Sequence, residues 1–196
     1  MLGEDRVARA GLLDIRQKLD VGERLTLQDG VRLFECPDTL AIGWLANRER
    51  EKRHGGRTFY NHNIRLEATN VCVANCLFCS FARLMPGDAD AYTLSLDQAL
   101  DKLRARAHEP ITEVHVVNGL HPDLPFDYYT SLLRGLKAIK PSIHLKCFTA
   151  VEIAFFADLY KMTDEAVLRA LMAAGLESLP GGGAEVFASR VRLKIC

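Results

Sequence analysis

The chain has no apolar run approaching the roughly 20 residues that cross a bilayer as a helix. Its most apolar stretch, AVEIAFFADLY, carries both Glu152 and Asp158, so no membrane span is expected. Nor is there an excess of either charge: 25 Lys and Arg balance 25 Asp and Glu. That balance removes the bulk electrostatic case for nucleic acid or an anionic membrane surface, and a small-molecule partner is expected instead. The opening residues, MLGEDRVARAGLLDIRQ, contain no apolar signal segment. Together with unpaired thiols this points to a reducing cytoplasm. Cysteine is too sparse for a disulfide framework, since only six occur in 196 residues. What remains is the composition of an ordinary globular protein, 48% apolar and 26% charged, able to bury a substantial core.

Three of those cysteines are not scattered. Cys72, Cys76 and Cys79 form Cys-Val-Ala-Asn-Cys-Leu-Phe-Cys, a C-x3-C-x2-C triplet. It lacks a fourth cysteine nearby, the next being Cys147. Structural zinc sites use two separated ligand pairs and a full set of four, and plant-type two-iron ferredoxins read C-x4-C-x2-C. The triplet matches neither. It suits a four-iron cluster held by three thiolates, which keeps one iron open to a substrate much as catalytic zinc keeps an open position. Zinc and a closed cluster remain as rivals.

Residues 1–56 are expected to form a helical N-terminal extension. Leu12, Leu13, Ile15 and Leu19 fall at roughly helical spacing, Thr26 with Asp29 suggests an N-cap, and Leu40 to Glu51 reads as a second amphipathic helix before Gly55-Gly56. After those glycines strands alternate with helices. Residues 63–69, 111–117, 143–149 and 177–179 are strand candidates; helices are expected from a Ser95–Gln98 capping box to about His108, over 126–140, and from Thr163 through Ala174. Repeated strand–helix pairs predict an α/β class with parallel strands joined by right-handed crossovers. About four units are present, half of the eight in a full (β/α) barrel, so residues 57–196 are expected to be the N-terminal part of a longer barrel. The chemically suggestive loops follow strands, where α/β folds keep their sites.

The cysteine loop, with Phe78 before its last cysteine, resembles that of the radical S-adenosylmethionine (SAM) enzymes. More narrowly, residues 70–83 and the stretches HVVNGLHPDLPFDYY, IHLKCFTAVEI and SLPGGGAEVF resemble the aminofutalosine synthases of menaquinone biosynthesis, over essentially the whole chain. The resemblance implies a TIM-type (β/α) barrel. It also implies a [4Fe-4S] cluster on Cys72, Cys76 and Cys79, and SAM bound with help from Phe78, Asn118, Gly119 and Glu185, the last reaching the ribose hydroxyls. The loop Asn118-Gly119-Leu120-His121 departs from the commoner Gly-Gly-Glu of the superfamily. The implied reaction adds a 5′-deoxyadenosyl radical to 3-[(1-carboxyvinyl)oxy]benzoate, giving 6-amino-6-deoxyfutalosine and consuming SAM. An electron donor such as flavodoxin or ferredoxin is implied as well. A related cyclase or deazaflavin-forming synthase, or a non-catalytic metal module, is the alternative.

Other residues carry expectations of their own. Arg83 and His121 are candidates for holding acceptor carboxylates, His121 equally for stabilising the turn before Pro122. Glu67 and Glu152 are either polar substrate contacts or paired structural charges, since a buried carboxylate needs partners. Glycines 181–183 suit close backbone approach to a nucleoside or carboxylate. Cys147 reads as a small core residue.

Overall fold

A computed structural model describes residues 2–182 and 186–196. The chain divides into two compact units, Met1–Tyr60 and Asn61–Cys196.

The first unit is helical: α1 (Leu2–Arg9), α2 (Leu13–Val21), α3 (Leu27–Glu35) and α4 (Thr39–His54). Its core gathers Val7, Leu12, Ile15, Ala41 and Leu45. Thr26 caps α3 in a reciprocal box with Asp29, satisfying donors the first turn leaves open. Asp29 is buried and also accepts from Lys18 Nζ at 2.8 Å. Gly3 lies against the Trp44 indole, where an added Cβ would stand 2.1 Å from Nε1.

The second unit is built on three parallel strands in the order β1 (Asn63–Leu66), β2 (Glu113–Val116), β3 (His144–Cys147). Register pairs Arg65 with His115 and His115 with Lys146. Alternation decides the faces. Ile64, Leu66, Val114, Val116, Leu145 and Cys147 are buried together with residues of α5 (Leu96–Arg104), α6 (Phe126–Ile139), α7 (Ala150–Tyr160) and α8 (Asp164–Ala173). Each large aliphatic side chain in that layer, such as Leu132 or Leu136, contributes about 1.5–3 kcal/mol by leaving water. Tyr129, Phe148 and Phe156 pack as an aromatic group, Tyr129 and Phe156 with centroids 4.4 Å apart.

The α/β class with parallel strands is present, and the remaining differences lie at the ends of elements. The strand expected over 63–69 stops at Leu66, because from Ala68 onward the backbone pairs with the far end of the cysteine loop: the Leu94 amide donates to the Ala68 carbonyl at 2.8 Å. The helix after Ser95 stops at Arg104 rather than near His108, in a series of tight turns. The expected strand at 177–179 is a single parallel bridge, Lys146 with Ser178. Two helices were not expected. One is α7, which begins one residue after Thr149, the position taken as a strand end. Thr149 is instead an N-cap whose hydroxyl accepts from the Glu152 amide in a reciprocal capping box. The other is α9 (Ser189–Ile195). Cys147 is buried in the core as expected. Glu185 lies outside the described residues.

Candidate metal and cofactor site

The cysteine loop leaves the C-terminal end of β1 and returns before α5. Its two ends are clamped by one buried side chain. Asn70 donates from Nδ2 to the Asp90 carbonyl at 2.9 Å and accepts at Oδ1 from the Tyr92 amide at 2.8 Å. Thr69 adds a hydroxyl bond to the Tyr92 carbonyl and one shared with Thr93. Within this clamp the Cys72 amide donates to the Arg83 carbonyl at 2.8 Å, and the Arg83 amide to the Asn70 carbonyl at 2.8 Å. The Met85-Pro86-Gly87-Asp88 turn closes with the Asp88 amide donating to the Met85 carbonyl.

All three thiols are free; Cys72 is buried, Cys76 half-buried and Cys79 exposed. Burial pushes the Cys76 thiol up, and the nearby Cys196 thiol pushes it the same way. The Leu77 amide donates to the Ile195 carbonyl at 2.9 Å, joining this loop to the end of α9. Among the described residues no three His, Cys, Asp or Glu side chains are gathered closely enough for a single metal ion. What the loop offers is three unpaired sulfur donors within eight residues.

The second loop of the site follows β2 and passes directly over the first. The Gly119 amide donates to the Thr69 carbonyl at 2.9 Å, and the Val73 amide to the Leu120 carbonyl at 3.0 Å. A Cβ on Gly119 would stand 2.3 Å from the Val71 carbonyl oxygen. The glycine is required because loop meets loop backbone to backbone. Asn118 accepts at Oδ1 from the Ala68 amide at 2.7 Å, while its own amide donates to Glu152 Oε1 at 2.9 Å. Its Nδ2 is buried without a hydrogen-bond partner among the described residues, though the amide is near enough to lower the Glu152 carboxyl. Glu152 Oε2 accepts from the Thr149 amide and hydroxyl at 2.7 and 3.0 Å. Burial pushes the Glu152 carboxyl up to about 7 against the pull of these donors. A single polar chain, Ala68–Asn118–Glu152–Thr149, thus ties the C-terminal ends of all three strands together.

These contacts place the remaining candidate residues of the site. The Glu152 oxygens are engaged by three donors of the fold, the Asn118 amide and the Thr149 amide and hydroxyl. Arg83 has its guanidinium on four backbone carbonyls, those of Ser80, Phe81, Ala82 and Ala89, at 2.9–3.3 Å; it braces the loop exit instead of facing a carboxylate. His121 is buried, and its Nδ1 accepts from the Asp123 amide at 3.0 Å across Pro122. Burial also lowers its imidazole, against a smaller opposing pull from Asp123. Glu67 sits just past β1 in an ion pair with Arg65 at 3.1 Å. Phe78 is half-exposed on the cysteine loop. Asn70 does most to hold the loop shut, and residue-type reasoning does not single it out. Its signal was an Asn two residues before the first cysteine, a residue type that bridges backbone groups.

Comparison with known proteins gives the geometry its relatives. The chain is 46% identical over 182 residues to the aminodeoxyfutalosine synthase of Streptomyces coelicolor, covering 93% of this chain and 47% of that protein. It is 40% identical over 184 residues to the same enzyme of Thermus thermophilus, covering 94% and 49%.

This chain is a relative of the aminodeoxyfutalosine synthases.

It spans about half the length of the curated relatives it matches. A cyclic dehypoxanthine futalosine synthase of Halalkalibacterium halodurans is 37% identical over 175 residues. No protein-family profile matches the chain. Among solved structures, methylornithine synthase (PylB) aligns with a TM-score of 0.68 over 92% of this chain and 50% of that one, at 16% identity. The hydrogenase maturase HydG of Carboxydothermus hydrogenoformans aligns with a TM-score of 0.57 over 90% and 49%, at 21% identity. These likenesses concern the fold alone. No helix among the described residues is long and apolar enough to cross a membrane.

Proposed function

We propose that this chain is the cluster- and SAM-binding part of a radical SAM transferase of TIM-type (β/α) barrel architecture. The reaction breaks the S–C5′ bond of SAM, releasing methionine, adds the 5′-deoxyadenosyl group to 3-[(1-carboxyvinyl)oxy]benzoate and, with rearrangement and loss of the carboxyl carbon, gives 6-amino-6-deoxyfutalosine for menaquinone synthesis. The observation that carries this reading is the three-thiol loop at the C-terminal ends of parallel strands, in a chain 46% identical to such a synthase. Soft thiolates suit iron, and three of them leave a coordination position for a substrate. When bound, the cluster and SAM supply the adenosyl radical, with electrons from a flavodoxin or ferredoxin.

The chain's own residues prepare that site. Cys72, Cys76 and Cys79 would hold the cluster, with Cys72 fixed by its amide bond to Arg83. Among the described residues the Asn118 and Gly119 carbonyls accept no hydrogen bond, which suits them to the ammonium of SAM. Phe78 and Glu185 complete the proposed cofactor contacts. A reducing cytoplasm fits a site built on free thiols. The test is anaerobic purification with iron and sulfide analysis, followed by incubation with SAM and the acceptor and mass analysis of products. Iron and sulfide near four each per chain, with 5′-deoxyadenosyl chemistry, are expected. Zinc without sulfide would sink the reading, and a cyclised futalosine product would move it to the related cyclase.

A further inference from the structure

The sheet face opposite the helices holds a row of three basic side chains for which no role has been assigned. Arg65, His115 and Lys146 are direct register partners on β1, β2 and β3. Their neighbours in sequence, Ile64, Leu66, Val114, Val116, Leu145 and Cys147, are buried on the helix side, so the row points the other way. It lies on the cysteine-loop half of the strands: the row below it is Asn63, Glu113 and His144, and above it stands Glu67.

Each cation has one carboxylate and donors to spare. Arg65 meets Glu67 through Nε at 3.1 Å with its side chain 70% exposed, an exchangeable pair. Lys146 meets Glu113 at 3.0 Å. Buried Glu113 also accepts from Asn61 and Asn63 at 3.3 and 3.4 Å, so it does not rely on the ammonium alone. A guanidinium has five N–H groups and an ammonium three; each has one recorded partner here. Between them, the His115 side chain has no hydrogen-bond partner among the described residues. Burial, then Lys146 and Arg65, lower its imidazole against the opposing pull of Glu113 and Glu67.

We propose that Arg65, His115 and Lys146 form a carboxylate-binding row that receives an aryl carboxylic acid on the open face of the sheet. The geometry suits such a ligand. Adjacent strands are about 4.8 Å apart, so the two outer cations flank a planar carboxylate while the central imidazole offers it a ring N–H. Arg offers a fork matched to two oxygens. With Arg83 and His121 engaged elsewhere, the row supplies the cationic contacts that the proposed acceptor needs. Identifying the ligand as that acceptor rests on the function proposed above; carboxylate binding itself does not.

The test titrates the chain with 3-methoxybenzoate and, separately, with uncharged 3-methoxybenzamide, by calorimetry and by the NMR signals of the His115 ring. The acid should bind, shifting those signals, and the amide should bind at least tenfold more weakly. Arg65→Gln, at an exposed position, should lower acid affinity at least fivefold without changing the melting temperature. Lys146→Gln should do the same, with Lys146→Arg restoring most of it. Equal binding of acid and amide, or unchanged affinity in Arg65→Gln and Lys146→Gln, would overturn the proposal. If wild type lacks cluster and cleavage yet discriminates acid from amide, the functional reading fails while the carboxylate row stands.

Discussion

Replacing Gly119 by alanine probes the site where its two loops touch. The new Cβ would stand 2.3 Å from the Val71 carbonyl oxygen, 2.8 Å from its carbon and 3.0 Å from the Asn70 carbonyl carbon. All three are backbone atoms, so no side chain can swing aside. A C···O contact settles near about 3.3 Å, which asks the loops to part by about 1 Å. The two backbone bonds that straddle the contact, Gly119 to Thr69 and Leu120 to Val73, would stretch or break at about 1 kcal/mol each. Overpacking adds about 1–3 kcal/mol, for a total loss of about 3–5 kcal/mol. The displaced residue, Val71, adjoins Cys72, so cluster loading should fall with stability. Urea denaturation of the apo chain and iron per chain after reconstitution measure the two effects. Gly56→Ala is the control, since nothing lies within 4 Å of a Cβ there. A Gly119→Ala chain with wild-type midpoint and full iron would refute the account of loop against loop.

Two further outcomes follow from buried polar groups. The folded Glu152 carboxyl titrates near 7 against an ordinary 4.5, so the folded state holds its proton more tightly; this contribution to stability is complete below about pH 4.5 and is lost as pH rises through about 7. Its full extent is about 3 kcal/mol. Glu152→Gln should flatten the stability profile between pH 5 and 7, and an unaltered slope would exclude Glu152 as its source. Tyr129 is buried, and by distance and angle its hydroxyl has no hydrogen-bond partner among the described residues; the nearby Tyr160 hydroxyl, which influences it, donates instead to the Leu124 carbonyl. Tyr129→Phe should therefore unfold no more easily than wild type and gain up to about 1 kcal/mol; a loss above 1 kcal/mol would show that the phenol is satisfied in solution.

Much of the fold was legible because its signals are local. Ser95 with Gln98 marked the start of α5, and the β-branched run before Asn118 marked β2, since capping boxes and strand patterns act within a few residues. The start of α7 was hidden because Thr149 and Phe148 suit a strand equally well. Phe148 turns the chain at φ 64°, a conformation that no sequence pattern announces for an aromatic residue. At the site, residue types were readable and orientations were not. Arg83, His121 and Glu152 each looked available to a ligand, yet Arg83 and His121 bond to backbone folded back within six residues of themselves, and Glu152 meets the Asn118 amide that the crossover brings from the β2 loop. The basic row escaped notice for the converse reason: Arg65, His115 and Lys146 are about 30 to 50 residues apart in sequence, and only strand register lines them up.

The Glu152 carboxylate serves two masters, capping α7 through Thr149 and anchoring the β2 loop through the Asn118 amide. Shortening it to aspartate would let it reach one but not both. Evolution can therefore alter this residue only in step with its partners. Across homologues, positions 118, 149 and 152 should covary as a set, even though only 118 lies beside the cysteine loop. A substitution tolerated in one lineage should be damaging when transplanted singly into another, which makes the rim of the sheet a small epistatic unit.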